Sequence, residues 1–365
     1  MRCSLPHDAI AIAERLLVPG RPARGYLATQ LSNTATFWNP QNFGNAVLPP
    51  AYIYEPFYLY LALMHAGYTV DFVDGTAIER NLVSNQYTTT QLAIKDWVQA
   101  GGTLVVLPGA AVRDEYNALT DLNNQSTVIL DQVLGLRPRG PDTTSISLTG
   151  ARWQTPARSA FTSAQKATLT IGSLVPSDCQ NPRVCPPLTS GTTMPFYGNN
   201  VTDLVRSGAS SLATASMVGT GQIVDAITVN TYGSGRAFAY AFYPGYEYAM
   251  TGAVAGGGLP LGYEAARRTL AAAPIRVNTP SPVQVDQPMV EVLRVDSTTP
   301  TGTAIVLLNW TGRALGSVTV SIPGAGALRT VSTIEQSHVT TSVDAGGNRI
   351  VTLPLKTVDV IMLDP

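Results

Sequence analysis

Acidic residues follow two predicted strands and open one predicted helix, so several side chains capable of acid–base chemistry occupy comparable points in the chain. They are Glu55, Asp74, Asp114 and Glu115. In a parallel sheet the carboxyl ends of all strands lie at one edge, so carboxylates from separate strands meet there. Such carboxylates can hold one raised pKa and act as acid and base, or can bind a hard cation such as Ca²⁺ or Mg²⁺. These four residues are the predicted catalytic set.

Aromatic and amide side chains accompany these acids in the same loops and helix starts. The predicted substrate-binding residues are Trp38, Asn39, Tyr54, Tyr116 and Tyr246. Their neighbours in sequence add Asn33, Phe37, Asn117, Tyr243 and Glu247. Exposed rings stack against sugars or against the aromatic rings of a polymer, and Trp38, in a loop beside Pro40, suits this role best. We therefore expect a small molecule or a polymer as the substrate.

Each of these acids also has a structural interpretation. Glu55 stands beside Pro56 and can cap the start of a helix against its dipole. Asp114 and Glu115 can pair with Arg113 or cap the next helix. His65, in the last turn before Gly67, suits a helix C-terminus that favours a cation. The residues alone leave both interpretations open.

Established nucleophile patterns are missing from the sequence. The α/β part of the chain has no Cys between Cys3 and Cys179, which argues against amidotransferase activity. No G-x-S-x-G motif occurs, and Ser234 precedes a predicted strand, where it reads as a turn. The three histidines have no neighbours typical of a Ser-His-Asp triad.

The elements that would position these residues alternate between strand and helix. Strands are predicted at 25–31, 69–74, 103–107 and 236–243, and helices at 56–66, 88–100 and 260–273. The pattern predicts an α/β fold with a mainly parallel sheet flanked by helices, followed by a small antiparallel β-sandwich. The predicted domains are residues 1–272 with a β-rich insertion at about 145–230, a Pro-rich linker at 273–288, and the sandwich at 289–365.

Three segments carry a family resemblance: "YEPFYLYLALMHAGYTVDFVD", "WVQAGGTLVVLPGAAVRDEYN" and "GSGRAFAYAFYPGYEY". Their order resembles the class I glutamine-amidotransferase-like domain of bacterial β-galactosidase-type proteins, and "VEVLRV" with "AIVLLNWTG" is similar to their terminal β-sandwich. The resemblance implies a domain that follows a catalytic TIM barrel and mediates trimerisation. This chain has no such barrel, and it has little room for a strand that the family places before "TTTQLAIKDW". A fainter resemblance points to amidotransferase-like environmental polyester hydrolases.

Composition restricts partners and location. The net charge is −1 with 13% charged residues and no basic run, which argues against nucleic acid. No apolar stretch reaches the ~20 residues that span a bilayer. The N-terminus lacks a clear signal peptide and reads like a helix cut from a longer protein. Cys179 and Cys185 can pair across a short loop, which favours an extracellular or periplasmic location, or can remain two thiols.

Two functions from different classes remain. The first is a hydrolase at the strand-end crevice, acting on carboxylic esters and possibly on an aromatic polyester. The alternative is a non-catalytic trimerisation or carbohydrate-associated module derived from a multidomain glycoside hydrolase. We expect a homo-oligomer in the second case. No cofactor is expected in either, apart from Ca²⁺ or Mg²⁺ at the carboxylates.

Overall fold

The structure is a computed structural model. It describes residues 16–22, 27–30, 51–73, 90–107, 129–136, 165, 167–173, 186–197, 204–276, 283–328, 330–335 and 338–365. The described helices are α1 (Ala51–His65), α2 (Thr90–Gln99), α3 (Ile129–Leu134), α4 (Pro244–Val254), α5 (Leu259–Gly262) and α6 (Ala265–Arg276). None of them is long and apolar enough to cross a membrane.

The described strands form four sheets. They are β1 (Arg21–Pro22), β2 (Leu27–Gln30), β3 (Val70–Val73), β4 (Thr103–Val106), β5 (Ala167–Ile171), β6 (Thr193–Phe196), β7 (Ser210–Met217), β8 (Ile223–Tyr232), β9 (Gly235–Tyr240), β10 (Gln284–Val285), β11 (Val290–Thr298), β12 (Thr301–Asn309), β13 (Leu315–Ile322), β14 (Thr330–Thr333), β15 (Thr340–Val343), β16 (Arg349–Leu355) and β17 (Val358–Asp364). Each strand and helix predicted before residue 274 overlaps one of these elements.

The predicted fold class is nevertheless wrong, because the structure is mostly β, with 43% strand and 24% helix. A six-stranded sheet has the order β4-β9-β8-β7-β5-β6, and within it only β4 and β9 are parallel. A separate parallel pair joins β2 to β3. The mainly parallel sheet flanked by helices is therefore replaced by antiparallel sheets with two short parallel pairings.

A tight hairpin explains this difference. Strands β8 and β9 are joined by Gly233 and Ser234, with Tyr232 paired to Gly235. A two-residue turn can join only antiparallel neighbours. Gly233 has φ +59, and a Cβ atom there would lie 2.6 Å from the carbonyl oxygen of Gln99, so glycine is required twice over. The strand predicted at 236–243 pairs in parallel with β4 on one side only.

Side chains of β9 alternate between the two faces of the six-stranded sheet. Ala237 and Ala239 pack with helices α2 and α3, whereas Phe238 and Tyr240 pack with α6 on the opposite face. This is the period of two expected for a strand buried on both faces. Small residues on one face and large rings on the other set how closely each helix approaches.

Helices α1, α4 and α6 form a layer of their own. Ala62 of α1, Tyr248 of α4 and Ala271 of α6 belong to one buried cluster. Helix α6 continues through Pro274 to Arg276, into the segment predicted as a linker. The layer brings the start of α4 directly against α1, which is the contact that matters for the candidate site.

The C-terminal strands form two antiparallel sheets that pack face to face. Their orders are β1-β11-β12-β17-β14 and β10-β13-β16-β15. The core between them contains Val292, Ile305 and Leu307 from one sheet and Val320 and Leu353 from the other. The antiparallel strands predicted for 289–365 are present. Strand β1 adds residues 21 and 22 to this arrangement by pairing with β11, a contact between distant parts of the sequence.

Candidate functional site

The predicted site is only partly within the described residues. Outside them lie Trp38, Asn39, Asp74, Asp114, Glu115 and Tyr116, together with Asn33, Phe37, Asn117, Cys179 and Cys185. Their convergence at one sheet edge therefore stays a prediction, and so does a Ca²⁺ or Mg²⁺ site among them. Tyr54 lies near the start of α1, and Tyr246 lies in the first turn of α4. Glu55 and Tyr246 are the two predicted residues that the structure brings together.

Glu55 is buried, with 1% of its surface exposed. Its carboxylate accepts hydrogen bonds from the backbone N–H groups of Gly245 at 2.8 Å and Tyr246 at 2.5 Å. These N–H groups belong to the first turn of α4, where a helix has no internal acceptors for them. A carboxylate at this end also faces the positive pole of the helix dipole. Glu55 thus caps α4 from the side of a different helix.

Burial raises the pKa of Glu55 to about 8, against the opposing effect of the two N–H donors and with a smaller raising contribution from Glu247. A carboxyl group that titrates near neutral pH is suited to proton transfer. A general acid or base must also lie within hydrogen-bond reach of a substrate proton, however. Both oxygens of Glu55 are instead occupied within the fold, and the side chain is sealed from solvent.

The start of α1 differs from the prediction. Pro56 was expected at the first helical position, with Glu55 just before it, but the helix begins at Ala51 and contains Pro56. Glu55 therefore cannot cap its own helix. Glu55 does cap a helix, as the sequence suggested, but the helix that it caps is α4.

Tyr246 lies beside this contact and is half-buried. Its ring centroid is 5.9 Å from that of Tyr58. Burial first, and then the neighbouring Tyr58 and Glu247, raise the pKa of the Tyr246 hydroxyl to about 12. The hydroxyl therefore stays protonated at neutral pH and can donate a hydrogen bond. The ring packs against α1 at the start of α4.

Glu247 and Arg267 form a buried ion pair at 2.7 Å, with 3% and 2% of their side chains exposed. Arg267 also bonds Glu264 at 2.7 Å and the carbonyl oxygen of Pro195. The Tyr197 ring lies 5.4 Å from the Arg267 guanidinium carbon, a cation–π contact. The pair ties α4 to α6 and to the end of β6. Sequence reasoning missed Arg267, although two adjacent arginines in the apolar helix "EAARRTLAAAPI" were a signal for buried charge.

His65 occupies the last turn of α1, but it is not the cation expected at that position. Its Nδ1 atom lies 2.6 Å from the hydroxyl of Tyr248, and its carbonyl oxygen accepts a 2.8 Å hydrogen bond from Arg268 Nη1. Burial first, and then the charge of Arg268, lower the pKa of His65 to about 3. His65 is therefore neutral, and Arg268 supplies the positive charge at the helix C-terminus.

The described side chains at this site stabilise the ends of helices and the contacts between them. Glu55 holds a helix start, Glu247 holds Arg267, and Arg268 holds a helix end. Within the described part of the chain, no group of three His, Cys, Asp or Glu residues could hold a metal ion. These contacts join helices α1, α4 and α6 to one another.

The sequence matches no protein-family profile, and no curated protein matches it. Solved structures do match in fold. A GH42 β-galactosidase from G. stearothermophilus aligns over 94% of this chain with 13% identity and a TM-score of 0.55. A β-galactosidase from Rahnella sp. R3 aligns over 94% with 18% identity and a TM-score of 0.53. An alpha-L-fucosidase isoenzyme from Paenibacillus thiaminolyticus aligns over 85% with 10% identity and a TM-score of 0.50.

This chain spans 40%, 41% and 45% of the lengths of those three proteins. At these identities the likeness shows the fold alone, which is a β-galactosidase-like fold. The amidotransferase-like and polyester-hydrolase resemblances gain no support from the comparisons.

Proposed function

We propose that this chain is a non-catalytic module of the glycoside-hydrolase type, which assembles with copies of itself and works beside carbohydrate-degrading domains. The observation that carries the proposal is the sealed carboxylate of Glu55, whose two oxygens both accept backbone N–H groups of α4. The described acid whose pKa best suits proton transfer thus serves to hold two helices together.

Glycoside hydrolysis needs two carboxyl groups that face a sugar from opposite sides. In the described structure, Glu55 and Glu247 lie at the start of α4 but are buried, and Glu247 is paired with Arg267. Neither can present an open oxygen to a substrate without breaking a contact between helices. The described residues at this site therefore do not offer the two accessible carboxyl groups that glycoside hydrolysis needs. The fold neighbours nevertheless carry glycosidase names.

The extent of the structural alignment supports a module. Almost the whole of this chain, 94%, aligns with only 40% of a GH42 β-galactosidase. The remaining three-fifths of that enzyme lies outside the alignment, and a role beside another domain is consistent with this extent. The ester hydrolase predicted from the sequence depends on Glu55 together with Asp74, Asp114 and Glu115, of which the last three lie outside the described residues, and the fold neighbours named above are glycoside hydrolases, which do not support ester hydrolysis.

Light scattering across a dilution series tests the assembly part of the proposal. The family resemblance implies a trimer, so we expect a mass near three times the 38.6 kDa of one chain at micromolar concentration. A mass of one chain at every concentration would contradict assembly. Glu55→Gln should keep the wild-type mass, because its side chain lies inside the subunit.

A further inference from the structure

Aromatic side chains form an open surface where α1 meets the first sheet of the β-sandwich. Trp310, just after β12, is 50% exposed, and Phe72 in β3 is 43% exposed. Large rings left half in water forgo part of the free energy of burial. Trp310 is bonded to a carboxylate, Glu291 of β11, so its exposure calls for an explanation other than packing.

Trp310 is held in a fixed orientation despite its exposure. Its indole N–H donates a 2.9 Å hydrogen bond to Glu291 Oε2, and its backbone N–H donates a 2.9 Å bond to the carbonyl oxygen of Met289. Its ring centroid lies 6.5 Å from that of the buried His65. The indole is therefore anchored at one edge, and a ligand that stacks on its exposed surface meets a ring that is already ordered.

Tyr60, on α1, stacks on Phe72. The Tyr60 and Phe72 rings are stacked, with centroids 5.3 Å apart and an interplanar angle of 30°. Burial first, and then the negative charge of Glu291, raise the pKa of the Tyr60 hydroxyl. Helix α1, which carries Tyr60, contacts β11, which carries Glu291, and Glu291 in turn bonds Trp310. Two contacting pairs, Tyr60 with Phe72 and Trp310 with Glu291, lie on the adjoining elements α1, β3, β11 and the end of β12, and we call these four side chains the aromatic surface.

Glu291 has spare capacity for hydrogen bonding. One of its oxygens accepts the Trp310 indole N–H, and within the described part of the chain the other oxygen has no hydrogen-bond partner. A carboxylate offers about four lone-pair positions. The surface therefore combines flat apolar rings with a fixed acceptor that can receive hydroxyl groups.

We propose that the aromatic surface binds a neutral sugar chain. Pyranose rings present an apolar face that stacks on Trp310 or Phe72, and their hydroxyl groups donate to Glu291. The choice of a sugar as ligand rests on the proposed function, whereas the surface itself does not. Sugar hydroxyls suit Glu291, because one carboxylate oxygen already accepts the Trp310 indole N–H and the remaining lone pairs can accept O–H donors.

Affinity electrophoresis tests this inference, with galactan, xylan and mannan each cast into a native gel. We expect at least one polysaccharide to retard the wild-type protein, and Trp310→Ala to weaken binding about tenfold or more through the lost ring. Trp310→Phe should keep part of the retardation because it keeps a ring. Trp97→Ala is the matched control, because Trp97 is 40% exposed on α2, beside the six-stranded sheet.

Glu291→Gln separates a sugar from a cationic ligand. The glutamine oxygen can still accept from Trp310 and from hydroxyls, so retardation should stay within about threefold of wild type. Absence of retardation in all three gels would overturn the inference, and so would equal retardation of Trp310→Ala and wild type. Either result leaves the light-scattering mass unchanged, so it is distinguishable from failure of the proposed function.

Discussion

Glu55 is the residue on which the account depends most. Its two carboxyl oxygens receive two N–H groups from the start of α4, and these hydrogen bonds favour the charged form of the group. Desolvation opposes this gain by favouring the protonated acid, which is why the pKa of Glu55 rises from 4.5 to about 8. The same residue therefore stabilises a helix start and makes stability depend on pH.

Stability should fall as pH rises through the range where Glu55 titrates. The folded protein holds a proton up to about pH 8 that the unfolded chain releases near 4.5, so the free energy of unfolding decreases across this window, by at most about 1.4 kcal/mol per pH unit. Urea denaturation between pH 6.5 and 8 measures the slope. His65, with a lowered pKa, contributes a slope of the opposite sign that fades as pH rises above 6.5, and the comparison with Glu55→Gln cancels it because both proteins share it.

Glu55→Gln should flatten that slope, because glutamine does not titrate but can still accept one of the two N–H groups. Asp96→Asn, on the exposed side of α2, is the control and should retain the wild-type slope. Identical slopes in wild type and Glu55→Gln would show that the carboxyl group is not the titrating cap.

The capping role of Glu55 could be suggested from sequence, but its partner could not. The acceptor lies 190 residues from Gly245 in the chain, and no local pattern reports a contact at that separation. His65 shows the same limit, because its position at a helix end was predicted correctly but its charge depends on burial and on Arg268. Residue type and local position were readable from the sequence, whereas protonation state required the fold.

At the scale of elements, the close approach of α1 and α4 is the decisive contact. A Cβ atom added at Gly245 would lie 2.2 Å from the backbone nitrogen of Leu59, far inside van der Waals contact. The backbone N–H of Gly245 can reach Glu55 because this residue has no side chain. Glycine at this position therefore serves both the packing of the two helices and the cap.

Gly245→Ala should separate the helices and lower the unfolding free energy by about 1–3 kcal/mol, as overpacking does in cores. Thermal or urea denaturation measures the change. Gly316→Ala is the matched control, because a Cβ atom there meets nothing within 4 Å, and its midpoint should stay near wild type. Equal midpoints for the two variants would contradict the close packing of α1 on α4.

Element positions were largely predictable, and their pairing was not. Period-two and helical patterns placed β3, α2 and β4 within a few residues of their observed bounds. Strand direction depends on connections, and the hairpin at Gly233 and Ser234 turns β8 and β9 antiparallel. The pairing of β1 with β11 joins segments more than two hundred residues apart, so local sequence gave no sign of it.

At the scale of the whole molecule, α1 connects the parts of the structure. Its Glu55 holds α4, its Leu63 belongs to a buried cluster with α6, and its His65 meets Trp310 of the β-sandwich. A helix fixed on several sides is suited to holding other elements in place. It is less suited to the movements by which many active sites close over a substrate.

The four predicted catalytic residues fall into two groups. Glu55 is structural in the observed fold, whereas Asp74, Asp114 and Glu115 follow strands β3 and β4 in segments outside the described residues. The strand-end rule located them as a group, but it is a rule for open parallel sheets. Among the described strands, the parallel pairs β2–β3 and β4–β9 still support that argument.

The most direct test of the account is the rate at which the purified chain releases p-nitrophenol from p-nitrophenyl acetate and p-nitrophenyl β-galactoside at neutral pH. We expect rates equal to those of a buffer blank for wild type, for Glu55→Gln, and for a variant with Asp74, Asp114 and Glu115 all changed to Ala. Release by the wild type that disappears in the triple variant, while its circular dichroism spectrum is retained, would show a catalytic site and contradict the proposed function.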